Sequence, residues 1–171
     1  IQTTSKDSIL IRKVTNNDAR QYIELINSVW RDAYKNIFPE EVFIDRERET
    51  EKRIKSFADK FYNDNKRLCY VVECNDVIVG AIYGTIESTY EHFLESDFAD
   101  LVALYINPKY QGKGIGTKLK KIFEDWARKN GAKKYVIGVL KDNSNARRVY
   151  ERWGGELDDW EQKFYKLDVG Y

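Results

Sequence analysis

The 171-residue sequence predicts a single domain of the α/β class (an α+β mixed sheet), in which helices flank both faces of a central, mostly antiparallel sheet. The first observation is that amphipathic segments, with apolar residues three and four positions apart, occur together with short β-rich runs. The second is that no repeat, low-complexity tract or linker divides the chain. One domain covering residues 1–171 is therefore expected.

The N-terminal part begins with a predicted strand at 9–14, and the polar run 15–18 then supplies capping side chains for a helix. The buried stripe of that helix consists of residues at helical spacing: Ala19, Tyr22, Ile23, Ile26 and Trp30. A second amphipathic helix is expected over about 46–63, where the apolar stripe consists of Ile54, Phe57, Ala58 and Phe61.

The period then changes to that of a sheet. The β-rich runs 68–74 and 77–86 meet at Asn75 and Asp76, a pair typical of a tight hairpin. The run 98–106 is nearly continuous in apolar residues, which indicates a central strand. A helix, a strand, a helix and a last strand follow at about 115–129, 134–140, 143–153 and 162–167. The predicted order is β-α-α-β-β-β-α-β-α-β.

The charge composition argues against two classes of partner. The 29 Lys and Arg residues nearly balance the 28 Asp and Glu residues, so the net charge is +1. Such a chain has no global positive field to hold nucleic acid or an anionic membrane. The longest apolar run, 77–84, is far shorter than the roughly 18 residues that span a bilayer. Neither nucleic acid nor a membrane is therefore an expected partner.

The two cysteines and the single histidine give no sign of a disulfide or a metal centre. Cys69 and Cys74 are an odd number of positions apart in one predicted strand, so they should lie on opposite faces. His92 alone cannot build a His-rich metal site. The sequence also begins without the apolar stretch of a signal peptide. A reducing, cytoplasmic location is the expectation.

The most informative segment is 104–117, in which a buried strand ends and a helix begins. Gly112, Gly114 and Gly116 lie between them, with Gln111 in front. Glycines permit positive φ and let the backbone approach a ligand closely. Successive backbone N–H groups at the start of a helix can then point at one anion. The segment therefore predicts a cradle for a pyrophosphate.

Two other phosphate-binding loops do not fit this spacing. A Rossmann G-x-G-x-x-G motif would need glycine at the position of Thr117 and an early strand before it. A P-loop would need Gly-Lys-Ser/Thr after four spacer residues, and that pattern is absent. On glycine spacing alone, the remaining alternative is a flexible loop whose glycines only let the chain turn.

The pattern Gln111-x-x-Gly114-x-Gly116 and its lead-in Leu-x-Ile-x-Pro-x-Tyr resemble the acetyl-CoA-binding motif of the GCN5-related N-acetyltransferase (GNAT) superfamily. The resemblance implies the GNAT fold and acetyl-CoA as cosubstrate. It implies that the backbone of Leu104, Tyr105 and Ile106 pairs with the pantetheine arm like an added strand. It also implies that the pyrophosphate is held by the loop residues Gln111, Gly112, Lys113, Gly114, Ile115, Gly116 and Thr117.

A second constellation consists of Asn143, Ala146 and Tyr150, whose spacing places them on one face of a helix. Without context, a tyrosine on the inner face of a helix is more often a core residue than a catalyst. The pattern Asn-x-x-Ala-x-x-x-Tyr-Glu-Arg-x-Gly resembles the later motif of the GNAT family. That resemblance implies that Asn143 meets the CoA arm and that the Tyr150 hydroxyl lies near the thioester sulfur.

The chemistry of acetyl transfer needs a proton donor of this kind. When an amine attacks the thioester carbonyl, the thiolate leaves more readily if it receives a proton. Tyrosine has an ordinary pKa of about 10 and stays protonated at neutral pH, so Tyr150 is the candidate general acid. A backbone N–H near Ile106 is a candidate oxyanion donor. Neither motif contains a cysteine nucleophile, which favours direct transfer in a ternary complex.

The general base stays open at this point. Some GNAT relatives have a Glu five residues before the Asn, but this chain has Gly138 there. Glu87 and Asp100 are candidates at strand ends near the cleft, although such carboxylates are more often solvated surface groups. A water chain from bulk solvent can also serve. Gly154-Gly155 stands where the family usually has Gly-Phe, a departure that affects the expected packing but not Tyr150.

The acceptor is expected to be the amine of a small molecule or a peptide. In the GNAT family the N-terminal helices and their loop, here about 28–50, usually form its pocket. Aromatic residues occur in this region, and they either line that pocket or pack helix against helix: Trp30, Tyr34, Phe38 and Phe43. The acidic stretch 87–100 either attracts a cationic amine such as a polyamine or is a solvated face.

Parts of the sequence are also compatible with functions other than catalysis. Gly138 in place of an acidic residue is compatible with a non-catalytic CoA-binding regulatory module. The basic residues along 118–129 are compatible with nucleic-acid binding, but the near-neutral total and the lack of an aromatic platform argue against it. A homodimer is the expected assembly by analogy with relatives.

Overall fold

The computed structural model describes residues 8–61, 65–86, 97–157 and 164–168. Its helices are α1 (Ala19–Tyr34), α2 (Glu40–Arg48), α3 (Thr50–Lys55), α4 (Phe57–Phe61), α5 (Ile115–Lys129) and α6 (Ser144–Arg152). Its strands are β1 (Ile9–Lys13), β2 (Arg67–Cys74), β3 (Val77–Thr85), β4 (Phe98–Ile106), β5 (Lys134–Gly138), β6 (Glu156–Leu157) and β7 (Phe164–Asp168).

The strands of the described residues form one sheet in the order β1-β2-β3-β4-β5-β7-β6. Every neighbouring pair is antiparallel except β4 and β5, which are parallel and are connected through α5. The predicted mixed, mostly antiparallel sheet is confirmed. The predicted hairpin is confirmed as well, because Asn75 and Asp76 both have positive φ (50° and 65°), as a type I′ turn requires.

The feature that shapes the site is a separation between β4 and β5. Their pairing runs only from Phe98–Lys134 to Asp100–Val136, whereas β4 continues to Ile106. A bulge at Val102 breaks the β3–β4 register just beyond that point, and bulges increase the local twist of a strand. We call the gap between residues 101–106 of β4 and the end of β5 the wedge. The sequence pattern did not predict it.

Helices cover both faces of the sheet, as expected. On one face α1 packs with Val71, Ala81 and Tyr83, and on the other α5 inserts Leu119 and Phe123, neither of which is exposed to solvent. Each large apolar side chain buried in this way contributes roughly 1.5–3 kcal/mol. The two cysteines belong to opposite faces and neither forms a disulfide, in agreement with their odd spacing.

The second predicted helix was wrong in its form. Instead of one helix over 46–63, three short helices follow from Glu40 onward. The chain turns at Glu49, whose N–H bonds to Arg46 O over 3.2 Å, and again at Ser56. These turns let Phe43 and Phe57, separated by about four helical turns, both become buried. The first of these helices is signalled by Pro39, followed by Glu40 and Glu41 in its first turn. A search for apolar spacing does not detect this signal.

Other differences are small. β5 ends at Gly138 rather than at 140, α6 begins after Asn143, and the two-residue strand β6 was not predicted. In the described ranges, no helix is both long and apolar enough to cross a bilayer.

Candidate active site

Hydrogen bonds fix the glycine loop between β4 and α5 at the end of the strand. The Asn107 N–H donates to Val79 O over 2.8 Å, and the Asn107 side chain accepts from the Lys109 N–H over 3.0 Å. The Gln111 side-chain amide donates to Ile106 O over 3.1 Å. Gln111 therefore braces the loop with its side chain, a role that the spacing alone did not indicate.

Beyond Gln111 the loop presents a row of unused donors. In the described part of the chain, no acceptor pairs with the backbone N–H groups of residues 112–117. Gly112 and Gly114 have φ of 77° and 81°, a region that favours glycine and turns successive amides toward one side. The first turn of α5 carries no acidic residue, so its positive dipole end is not neutralised.

These residues fit a diphosphate. A Cβ added at Gly112 or Gly114 would meet no protein atom within 4 Å. Glycine is therefore needed at these two positions for the positive φ, and the space above the backbone is open to a ligand. At Gly116 a Cβ would lie 3.3 Å from Ile106 Cδ1. The Ile115 side chain is buried in the core, so this residue can offer a ligand only its backbone. The loop is thus a concave set of free amides at a helix N-terminus.

The strand that leads into the loop has one free edge. Leu104 and Tyr105 pair with Ile82 and Ala81 of β3, while on the opposite edge the pairing with β5 stops at Asp100. The residues 104–106 that were expected to bind the pantetheine arm thus lie along the wedge, half-buried and open to a further extended chain.

Tyr150 lies on α6 among aromatic rings. Its ring centroid is 5.7 Å from that of Tyr165 and 5.8 Å from that of Trp153. Burial raises the pKa of the Tyr150 hydroxyl well above its ordinary value, and the nearby Tyr34 and Tyr105 raise it further. The hydroxyl therefore stays protonated at neutral pH. No acceptor in the described residues takes its proton, so the group is available as a donor.

Asn143 does not lie on the face of α6, because it is the residue that caps this helix. Its Oδ1 accepts the N–H of Ala146 over 3.2 Å. Its Nδ2 donates to the Tyr34 hydroxyl over 3.4 Å, a partner that the sequence did not reveal. Because the capping bond uses only Oδ1, the Nδ2 group of Asn143 can donate to Tyr34 or to a ligand in the wedge.

The aromatic residues of the N-terminal helices behave mainly as packing groups. The Trp30 ring stacks on Phe38 at 5.4 Å and contacts Tyr34 edge-on at 4.8 Å. It also meets Phe43 at 6.1 Å. The helix-packing interpretation therefore holds for Trp30, Phe38 and Phe43, whereas Tyr34 also reaches the second motif through its hydroxyl.

Of the two candidate bases, Asp100 lies within the described residues. Asp100 is 2% exposed and lies in the last β4–β5 pair, where the wedge begins. Burial raises the pKa of this carboxyl to about 7. Such a value suits proton exchange near neutral pH. Glu87 lies outside the described residues, as does most of the acidic stretch 87–100, and Gly138 is the final residue of β5.

The unusual Gly154-Gly155 pair has a steric explanation. Gly154 has φ of 86° and ends α6. A Cβ at Gly155 would lie only 2.8 Å from the Tyr150 carbonyl oxygen and 3.1 Å from the Tyr165 ring. A side chain at position 155 would push against Tyr150, the candidate acid. Glycine at this position, although it departs from the family pattern, therefore leaves Tyr150 in place.

A second cavity adjoins the wedge on the α1 face of the sheet. This α1 pocket has a volume of about 240 Å³, and its lining includes Tyr22 of α1, Arg46 of α2, Arg53 of α3 and Tyr105 of β4. Tyr34 is close enough to both Tyr105 and Tyr150 to raise the pKa of each hydroxyl. The α1 pocket is therefore the candidate acceptor site.

Comparison with known families shows which family the chain belongs to. The family model described as acetyltransferase (GNAT) family matches residues 24–155, which is most of the chain. The chain belongs to the GNAT acetyltransferase family. The expected resemblance is thereby confirmed. The GNAT chain is an acetyl-CoA-dependent N-acetyltransferase of an amine substrate.

Two curated relatives match this GNAT chain over most of its length. A spermidine N(1)-acetyltransferase of Thermoplasma acidophilum is 26% identical over 169 residues, covering 96% of this chain and 98% of the relative. A spermidine N(1)-acetyltransferase of Escherichia coli is 28% identical over 156 residues, covering 90% of this chain and 76% of the relative.

Solved structures show the same fold. The PaiA N-acetyltransferase of T. acidophilum in complex with coenzyme A has a TM-score of 0.72 at 22% identity, covering 94% of this chain and 99% of that one. A GNAT-family acetyltransferase of Staphylococcus aureus has a TM-score of 0.73 at 14% identity, covering 95% and 100%.

Proposed function

We propose that this acetyltransferase works as one domain over residues 1–171, holds acetyl-CoA in the wedge and the glycine loop, and uses Tyr150 as its general acid. The observation that carries the proposal is the row of unpaired amides at 112–117, which continues the free edge of β4. The diphosphate would meet these amides, and the pantetheine arm would pair with the backbone of residues 104–106. Asn143 would contact the same arm.

The proposed reaction is a direct transfer. The acceptor ammonium loses a proton to Asp100, through water, and the free amine then attacks the thioester carbonyl carbon. A carbon–nitrogen bond forms, the carbon–sulfur bond breaks, Tyr150 gives its proton to the sulfur, and the new amide nitrogen loses its second proton to solvent. Solvent returns a proton to Tyr150 and takes one from Asp100, so one proton is released for each acetyl group moved.

The buried setting of both groups supports these roles. The pKa of Tyr150 is raised by burial, so the phenol is neutral before the reaction and has a proton to share with the sulfur as negative charge develops there. The pKa of Asp100 is raised to about 7 by burial, so this carboxylate can both accept a proton and release it near neutral pH.

The acceptor is proposed to be a small-molecule primary amine. The relatives named above carry spermidine in their names, and small amines are thus the class in which to search. Peptide amines and a homodimer remain predictions. Analytical ultracentrifugation of the purified chain tests the homodimer, for which twice the 20.2 kDa mass is expected.

The experiment for the proposed function is release of free thiol from acetyl-CoA across a panel of primary amines. We expect amine-dependent release with at least one amine, accompanied by the mass increase of one acetyl group on that amine. Tight CoA binding with no release across the whole panel would contradict catalysis and favour the regulatory module.

A further inference from the structure

The α1 pocket has a charge that the proposed reaction does not use. It places the guanidinium groups of Arg46 and Arg53 beside each other, and no Asp or Glu from the described residues lines it. The pKa of Arg53 is lowered, first by burial and then by the charge of Arg46. Two positive groups therefore face one cavity of about 240 Å³, and the described residues supply no counter-charge there.

These two arginines differ from all the others between residues 8 and 61. Arg12 pairs with Asp18 at 2.8 Å and with Glu73, and Arg31 pairs with Glu40 and Glu47. Two more arginines have carboxylate partners, Arg20 with Glu51 and Arg48 with Asp45. In the part of the chain that the structure describes, Arg46 and Arg53 have none. Acidic residues are thus plentiful on these helices, and none from the described residues lines the pocket.

The two guanidinium groups are also held in place. Arg46 lies over the Trp30 ring at 4.5 Å, and its buried Nε has no hydrogen-bond partner in the described residues. Arg53 donates to Asn27 Oδ1 over 2.8 Å, and Asn27 in turn donates to Thr50 over 2.9 Å. A buried donor without an acceptor and an uncompensated charge both cost stability, so a fixed pair of them points to a ligand.

The pocket opens toward the proposed chemistry. Tyr105 lines it, and the charges of both arginines act on the Tyr105 hydroxyl. Tyr105 also lies beside the wedge, near Tyr34 and Tyr150. A molecule whose anionic group meets the two arginines can therefore present another of its groups to the thioester.

We infer that Arg46 and Arg53 bind a carboxylate of the acceptor, so that the acceptor is a primary amine that also carries a carboxylate, such as a free amino acid. The inference rests on the proposed acetyl transfer and names its substrate class. Guanidinium groups bind carboxylates through paired N–H donors, and they also bind phosphates. A polycation such as spermidine would meet repulsion in the same place.

The test compares amines that differ only by the anionic group. Lysine is paired with cadaverine, ornithine with putrescine, and phenylalanine with phenethylamine. Phosphoethanolamine with ethanolamine forms the phosphate arm, and spermidine is the polycation. For each pair, kcat/KM for acetylation gives one ratio. We expect the carboxylate member to exceed its partner by about tenfold or more in at least one pair.

Variants then locate the source of that ratio. Arg53→Gln is expected to bring the ratio to within about threefold of one, because the charge-assisted bonds are lost. Arg48→Gln is the matched control: Arg48 is exposed, lies on α2, pairs with Asp45 and does not line the pocket. It should keep the wild-type ratio. Arg46 also packs on Trp30, so the variant at this position is Arg46→Lys. It keeps the positive charge but loses the paired N–H donors of the planar guanidinium.

Each outcome decides the inference separately from the proposed function. If amines are acetylated but spermidine or the decarboxylated members are preferred, the carboxylate site is wrong and acetyl transfer stands. An unchanged ratio in Arg53→Gln also overturns it, and a preference confined to phosphoethanolamine assigns the anion as phosphate instead. If no amine reacts, calorimetry of lysine and cadaverine with the CoA-loaded protein decides: equal binding overturns the inference, and binding of lysine that depends on Arg53 supports it.

Discussion

The side-chain amide of Asn143 donates a hydrogen bond to the hydroxyl of Tyr34 over 3.4 Å and so joins segments that are 109 residues apart. The same Asn143 caps α6 through the Ala146 N–H. The end of α1 and the start of α6 therefore meet beside the wedge. This contact links the helices that border the α1 pocket to the helix that carries Tyr150.

Removing this link should change catalysis more than folding. In Tyr34→Phe the packing of the ring against Trp30 persists, but Asn143 loses a partner. We expect kcat/KM to fall about threefold to tenfold and the melting temperature to change by no more than a few degrees. Tyr70→Phe, at a half-buried tyrosine of β2, is the control and should leave kcat/KM unchanged. A Tyr34→Phe enzyme with wild-type kinetics would refute the link.

Tyr150→Phe tests the general acid. The ring and its contacts with Trp153 and Tyr165 are kept, and only the proton donor is lost. We expect kcat to fall about 10²-fold while CoA affinity, measured by calorimetry, stays within about threefold. The opposite result, a large loss of CoA affinity with unchanged kcat, would mean that Tyr150 binds the cosubstrate and does not donate the proton.

Gly114→Val tests the loop, and the fold offers a matched control. Gly114 and Gly131 lie at opposite ends of α5, both have positive φ (81° and 92°), and a Cβ added at either would meet no protein atom nearby. Valine at either position therefore carries similar backbone strain, of order 1–2 kcal/mol. We expect Gly114→Val and Gly131→Val to lose similar stability, but only Gly114→Val to lose CoA binding. Equal CoA affinity in the two variants would contradict the assigned loop.

Because Asp100 is buried, the free energy of unfolding is expected to depend on pH. The pKa of Asp100 is about 7 in the folded protein against an ordinary value of 3.8, so the folded state holds the proton more tightly. Unfolding free energy attributable to Asp100 therefore falls as pH rises from about 4 to about 7, by up to about 4 kcal/mol. Asp100→Asn should become more stable relative to wild type over that range. Urea denaturation at pH values of about 5.5 and about 8 measures the change.

The same substitution tests the base. If Asp100 accepts the proton, wild-type kcat/KM rises through a pH of about 7 and Asp100→Asn lowers it about 10²-fold. Asp97→Asn is the control, because Asp97 is exposed and pairs only loosely with Lys133 at 3.7 Å. If Asp100→Asn retains full activity, a water chain serves as the base.

Much of the fold followed from local pattern. β4 (Phe98–Ile106) and α5 (Ile115–Lys129) begin and end where their apolar periodicity predicted, because each is long and strongly patterned. The Asn75-Asp76 turn was readable because few residue pairs accept positive φ twice. The glycine loop was predictable for the same reason, since its φ angles are a local demand.

What the sequence did not reveal depends on distant contacts. The wedge arises from a bulge at Val102 and from β7 pairing with the far edge of β5, and neither has a local signal. The contact between Tyr34 and Asn143 and the unpaired state of Arg46 also require the folded chain. The break of the second helix was missed because apolar spacing alone continues through Glu49 and Ser56.

The central claim, that the amides after Gln111 bind the diphosphate of coenzyme A, is tested most directly by amide NMR of the ¹⁵N-labelled chain. On titration with CoA, the backbone signals of residues 112–117 should shift the most and move downfield, as amides do when they donate to phosphate oxygens. CoA binding that leaves those signals in place while others shift would contradict the account.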